Sequence, residues 1–93
     1  MKLTDLRIED KEISFMEAEL IKLDNNDWRI DITTTATVLS SIDSGRFLNA
    51  EMITYEEEKL GGLVKLIEAE PNDELTLKFT LKGFGPLGDI MYK

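Results

Sequence analysis

The 93-residue sequence contains no cysteine and no histidine. Without cysteine, the chain has no disulfide framework, thiol nucleophile, iron–sulfur cluster or thiolate zinc site. Without histidine, it has no imidazole base and no haem ligand of the usual kind, so Ser-His-Asp and Cys-His catalysis are excluded. The absence of these two residue types does not exclude carboxylate catalysis or a Ca²⁺ or Mg²⁺ site with oxygen ligands.

Basic residues are also scarce, with 11 Lys and Arg against 19 Asp and Glu, for a net charge of −8. Nucleic acid is therefore not an expected partner, because phosphate binding requires a basic surface. The chain has no run of 18 apolar residues and no apolar run of a signal peptide near Met1. We expect no membrane contact and a cytoplasmic location.

Hydrophobic residues make up 42% of the chain, which is enough for a folded core. Surface scaling for a protein of 10.6 kDa predicts that about 64% of the surface is buried on folding. This size favours a single domain over residues 1–93 with one core.

Two segments alternate apolar and polar residues with the period of a half-buried strand, and they extend from Trp28 to Val38 and from Leu75 to Leu81. Asn25 and Asn26 precede the first segment and suit a two-residue hairpin turn. This turn predicts one partner strand from Lys11 to Leu23, with Leu23 opposite Trp28. Trp28 is then expected in the core.

The partner strand of this hairpin does not alternate cleanly. In the predicted register, Glu17 and Glu19 would face inward, whereas Met16, Ala18 and Leu20 would face outward. A β-bulge near Met16 and Glu17 would correct this, and we predict one there.

Residues 46–70 admit two interpretations. The first has strands over 46–57 and 63–70 joined by a Gly61–Gly62 turn. The second has a helix near 54–69, with Thr54 and Glu57 as a capping box. We favour strands, because two interior glycines cost a helix about 2 kcal/mol.

A second hairpin is predicted between residues 63–70 and the strand ending at Leu81, with Ile67 opposite Leu77. The next segment, Gly83 to Gly88, has three glycines and a proline in six residues. It predicts an irregular loop, in which Phe84 and Leu87 either cover one end of the core or dock a partner.

The predicted fold is mostly β: a single small antiparallel barrel or sandwich of five to seven strands. The alternative is an α+β fold, in which one helix near 54–69 packs on an antiparallel sheet.

The acidic residues cluster beside predicted turns, where ordinary solvated surface charge is the simplest explanation. Three consecutive glutamates could instead recognise Lys or Arg. We therefore predict a non-enzymatic protein-interaction module such as a subunit, adaptor or inhibitor, with a basic protein as its candidate partner. The candidate partner-binding residues are Glu56, Glu57, Glu58, Phe84 and Leu87.

The sequence is also compatible with other functional hypotheses. A homodimer formed through sheet edges is one form of the interaction hypothesis. A small-ligand-binding β-barrel is the second hypothesis, since small barrels can hold one molecule. A carboxylate- or divalent-cation-dependent enzyme is the third. No cofactor, metal site or catalytic residue is predicted.

Overall fold

Seven antiparallel strands form one sheet in the computed structural model, which describes residues 1–35, 42, 45–71 and 76–89. The strands are β1 (Leu3–Ile8), β2 (Lys11–Glu12), β3 (Glu17–Lys22), β4 (Trp28–Thr35), β5 (Leu48–Thr54), β6 (Lys59–Pro71) and β7 (Thr76–Asp89). Their order across the sheet is β2-β1-β5-β6-β7-β4-β3, and the sheet curls into a half-barrel. The predicted antiparallel β fold is confirmed.

The curled sheet brings β1 and β3 together although they are not neighbours in the strand order. The Leu20 amide donates a hydrogen bond of 2.7 Å to the Met1 carbonyl. Lys2 and Glu19 form an isolated antiparallel bridge beside it. These bonds connect the two sides of the half-barrel at Met1 and Lys2.

The core lies on the concave face, where alternate residues of the strands point inward. Trp28, Ile30 and Ile32 of β4 are all buried, as the alternation predicts. Thr34 continues this buried row, and its hydroxyl donates a hydrogen bond of 2.7 Å to the Ser14 carbonyl. The polar atom is thus satisfied at little cost.

Trp28 is a large side chain of this core and is only 2% exposed, which confirms its predicted place. Its indole lies directly on the backbone of β6 and β7 at two glycines. A Cβ atom at Gly62 would stand 2.6 Å from Cζ2 of the ring, and one at Gly83 would overlap Cδ2 and Cε2. The indole N–H donates a hydrogen bond of 3.1 Å to the Gly85 carbonyl.

The predicted register of the first hairpin is wrong by one residue. Lys22, not Leu23, is opposite Trp28. A 3-10 turn over Asp24–Asn26 replaces the two-residue turn, and the Leu23 amide bonds to the Asp27 carbonyl at 2.7 Å. Asn26 supplies the left-handed residue, at φ 64°. The extra turn residue accounts for the shifted pairing.

The shifted register removes the need for the predicted bulge near Met16 and Glu17. Ala18 is opposite Ile32 and buried, whereas Glu17 is opposite Thr33 and exposed. Pairing is continuous along β3. The predicted single strand over Lys11–Leu23 is also wrong, because β2 pairs with β1 while β3 pairs with β4.

The alternative helix near 54–69 is wrong, since β6 occupies most of that range as a strand. The connection from β5 is a turn over residues 55–58, not at Gly61–Gly62, which lie inside β6. The Thr54 hydroxyl, expected to cap a helix, accepts hydrogen bonds of 3.2 Å from the Glu56 and Glu58 amides. The same side chain thus stabilises a turn.

The predicted register of the second hairpin is wrong, since Leu77 is opposite Pro71 rather than Ile67. The predicted irregular loop over Gly83–Gly88 is wrong too, because β7 continues through it. A register shift lies between the pairs Gly61–Gly88 and Leu63–Phe84. Gly85, with φ 74°, lies within this irregular stretch of β7. The glycine-rich composition accommodates Trp28 and a bulge without ending the strand.

The described part of the chain contains no helix long and apolar enough to cross a membrane.

We predict that Gly83→Ala lowers the free energy of unfolding by about 2–3 kcal/mol or more, because the added methyl group must displace the Trp28 indole or the β7 backbone. Gly88→Ala is the matched control, since nothing lies within 4 Å of a Cβ there. We expect it to change stability by less than about 1 kcal/mol. Urea unfolding followed by Trp28 fluorescence measures both. Equal effects of the two variants would contradict this account of Gly83.

Candidate functional site

An aromatic and basic cluster occupies the convex face of the half-barrel. Because Val64 of β6 and Gly83 of β7 point inward, their neighbours along each strand point outward. The outward residues join the ring that precedes β5 to form one surface, which we call the aromatic–lysine patch. Its members are Phe47, Leu63, Lys65, Lys82 and Phe84.

Close ring and ammonium contacts define the patch. The rings of Phe47 and Phe84 meet edge to face, with centroids 5.1 Å apart and planes at 89°. Lys65 Nζ lies 5.4 Å from the Phe47 centroid. Lys82 Nζ lies 5.3 Å from the Phe84 centroid. Each ammonium group therefore has one aromatic face as its neighbour.

The patch places two positive charges directly opposite each other, since Lys65 and Lys82 are paired across β6 and β7. Like charges at such a cross-strand pair are destabilising. Among the described residues, neither ammonium group lies within ion-pair distance of a carboxylate. Arg29 is the next residue in this row, opposite Lys82, but it has a carboxylate partner in Asp31 at 3.3 Å. Within the described part of the chain, the two lysines thus differ from Arg29 in having no carboxylate partner.

The patch also exposes apolar surface. Phe47 is 55% exposed and Leu63 is 43% exposed, although both are large hydrophobic side chains. Phe84 is half-buried beside them. Rings and lysines in this arrangement offer apolar contact area together with two hydrogen-bond-donating cations.

The five residues predicted for partner binding do not form one site. Glu56, Glu57 and Glu58 are exposed on the β5–β6 turn. Phe84 belongs to the aromatic–lysine patch, opposite Leu63, which is five residues or about 16 Å along β6 from Glu58. Leu87 is partly buried against the core.

Leu87 lines a separate groove at one end of the core, which we call the Trp28 groove. Its volume is about 480 Å³. Its lining residues are Lys22, Leu23, Asn26, Asp27, Trp28, Gly85, Pro86 and Leu87. The groove is a surface feature, whereas the indole itself packs on the backbone at Gly62 and Gly83.

Two carboxyl groups lie side by side on the convex face near the end of β6. The pKa of Glu68 is raised above its ordinary value of 4.5, first by the hydrogen bond to the Glu70 carboxyl and then by repulsion from that group. Asp31 on β4 adds a smaller repulsion. Both glutamates are exposed, so water solvates the pair. Within the described ranges, no three Asp or Glu side chains are grouped to hold a metal ion.

Four of the five patch residues were missed by sequence reasoning. The predicted register that pairs Ile67 with Leu77 would also set Leu63 opposite Leu81, whose side chain points inward, and the predicted loop over Gly83–Gly88 includes Phe84. For the β7 members of the patch, the signal is the alternation of β7 continued three residues past Leu81, which places Gly83 inward and Lys82 and Phe84 outward. Phe47 has no comparable signal, because it precedes its strand.

Comparison with known proteins provides no functional assignment: no family model, curated protein or solved structure matches this chain.

We predict that Glu70→Gln lowers the pKa of Glu68 toward 4.5, because it removes the carboxyl group that hydrogen-bonds to Glu68 and also repels its negative charge. Since the folded-state pKa is the raised one, the folded protein holds the proton more tightly than the unfolded chain does. As the pH falls through the raised pKa toward 4.5, the free energy of unfolding therefore increases. We expect this increase to be lost in Glu70→Gln.

An NMR titration of the Glu68 carboxyl carbon measures the pKa directly. Glu12→Gln is a suitable control, because it removes a carboxylate from β2, which is not adjacent to β6. A Glu68 pKa that responds equally to both variants would contradict the assigned cause.

Proposed function

We propose that this chain is a non-enzymatic protein-interaction module that binds an acidic, partly apolar segment of a protein through the aromatic–lysine patch. The observation that supports this most strongly is the pairing of Lys65 with Lys82, beside the rings of Phe47 and Phe84, with no carboxylate of the described residues within ion-pair distance of either ammonium group. A carboxylate placed between the two ammonium groups would relieve their repulsion.

The apolar members of the patch support the same function. Aromatic side chains contribute much of the binding energy at protein interfaces. Phe47 and Phe84 hold each other edge to face at 5.1 Å, so they lose little freedom when a partner covers them. Leu63 extends this apolar surface along β6.

The charge of the whole chain gives the patch selectivity. A net charge of −8 repels acidic proteins at most orientations, whereas the patch attracts them locally. An acidic segment is therefore bound in the orientation that reaches the two lysines. The basic partner expected from the sequence stays a prediction for the glutamates of the β5–β6 turn. A non-enzymatic role and a cytoplasmic location also stay predictions.

We expect a peptide of alternating Glu and Phe to bind the protein, and binding to weaken as salt is raised. Lys65→Gln and Lys82→Gln should each weaken it about two- to fivefold, because one exposed ion pair contributes up to ~1 kcal/mol. Fluorescence anisotropy of the labelled peptide measures the affinity.

Lys11→Gln is the matched control, since it removes one exposed positive charge from β2, away from the patch. A second control peptide carries Lys in place of Glu and should not bind. If all three variants weaken binding equally, only net charge matters and the patch is not the binding surface.

A small-ligand-binding function is the second candidate, and the Trp28 groove supports it. Its volume of about 480 Å³ is within the usual range for ligand pockets, and Leu23, Pro86 and Leu87 give it apolar walls. A bound molecule would raise the melting temperature of the protein. A thermal-shift screen with small apolar compounds tests this, using Leu23→Trp to fill the groove. A compound whose effect persists in Leu23→Trp does not bind there.

A further inference from the structure

The β5–β6 turn offers the chemistry that the aromatic–lysine patch would recognise. We call residues Tyr55–Glu58 the acidic turn. Its aromatic residue, Tyr55, is 67% exposed, and the next three residues are exposed glutamates. One short segment thus combines an exposed ring with three carboxylates.

Backbone hydrogen bonds hold the acidic turn in one conformation. The Thr54 amide donates to the Glu58 carbonyl at 3.0 Å, and the Glu57 amide donates to the Thr54 carbonyl at 2.9 Å. The Thr54 hydroxyl accepts two further bonds from the Glu56 and Glu58 amides. A turn fixed in this way loses little conformational entropy when it is bound.

We propose that the aromatic–lysine patch binds the acidic turn of a second copy of this chain. The proposal rests on the proposed function and names the partner of that same patch. Lys65 and Lys82 supply the positive charge, the glutamates supply the negative charge, and Tyr55 packs on the exposed rings. A second copy of the chain is then both the acidic partner of the patch and the basic partner of the acidic turn.

The positions of the two surfaces favour a closed dimer. Glu58 immediately precedes β6 and Leu63 is five residues further along the chain, so the acidic turn and the patch are about 16 Å apart in the direction of that strand. A twofold axis between them places each turn on the patch of the other copy. Each turn–patch contact joins two different surfaces, but the twofold axis repeats it, so the complete interface is isologous and association in this arrangement stops at the dimer.

The net charge of −8 opposes association of two copies at long range. At physiological ionic strength the screening length is about 8 Å, so the groups in direct contact dominate the balance. The dimer interface uses the convex face of the sheet. It is therefore distinct from pairing through sheet edges, where β2 has only two residues and β3 is bonded to Met1 and Lys2.

Charge-swap variants test the proposal by sedimentation equilibrium at physiological salt. The patch variant is Lys65→Glu/Lys82→Glu, and the turn variant is Glu56→Lys/Glu58→Lys. Glu57 is retained because its backbone has φ 65°. Each variant alone places like charges at both contacts, so its dimerisation should weaken about tenfold or more.

An equimolar mixture of the two variants is the decisive sample, because it restores opposite charges at both contacts of a heterodimer. We expect its affinity to return to within about threefold of the wild type. Far-UV circular dichroism confirms that each variant is folded. Lys11→Glu/Lys22→Glu is the control for net charge, because it changes two lysines outside the patch. Mixing it with the turn variant should not raise its dimerisation affinity.

A wild-type chain that stays monomeric at about 1 mM overturns the proposal. A wild-type dimer whose affinity is not restored by mixing the variants overturns it as well. The Glu-Phe peptide assay separates these failures from the proposed function. If the monomeric wild type binds that peptide, the patch is a docking surface for another acidic protein. If it does not, the patch is not a docking surface.

Discussion

The contact between the Trp28 indole and the bare backbone of β6 and β7 is the constraint on which the rest of the structure depends. The ring fits only where Gly62 and Gly83 lack a Cβ atom, and its N–H bonds to Gly85. Three strands are thereby positioned relative to one another around a single side chain. A one-residue slip of β7 would place a side chain against the indole, so the contact also selects the register.

This register determines which residues face solvent. With Gly83 inward, Lys82 and Phe84 must face outward, and the pairing of β6 with β7 brings Lys65 and Leu63 beside them. The packing of the core thus assembles the aromatic–lysine patch on the opposite face. The facing lysines are unfavourable for stability by themselves. Their contacts with Phe47 and Phe84 offset part of that cost, but both charges stay available to a partner.

The sequence predicts the fold class and the inward row of β4, because burial on one face of a strand imposes a period of two. It predicts the pairings poorly, and two of the errors share a physical origin. Gly61–Gly62 was interpreted as a hairpin turn and Gly83–Gly88 as an irregular loop, since glycine permits unusual backbone angles. At Gly62 and Gly83 the decisive property is the missing side chain, and a distant residue, Trp28, requires it. The predicted two-residue turn at Asn25–Asn26 was wrong for a different reason. The turn in the structure is longer and moves the register by one residue, and the local preferences of the turn residues do not exclude it.

The location of the charges carries more functional information than their sum. The net charge of −8 determines the electrostatic potential far from the surface, where copies of this chain repel one another and other acidic proteins. Near the surface, the described structure separates an ordered turn with three glutamates from a patch with two lysines and two rings. Repulsion at most orientations and attraction at one is the combination that makes an interface specific, since it opposes incorrect contacts as well as favouring the correct one. An acidic chain with a small basic patch is therefore better suited to selective docking than a neutral chain with the same patch would be.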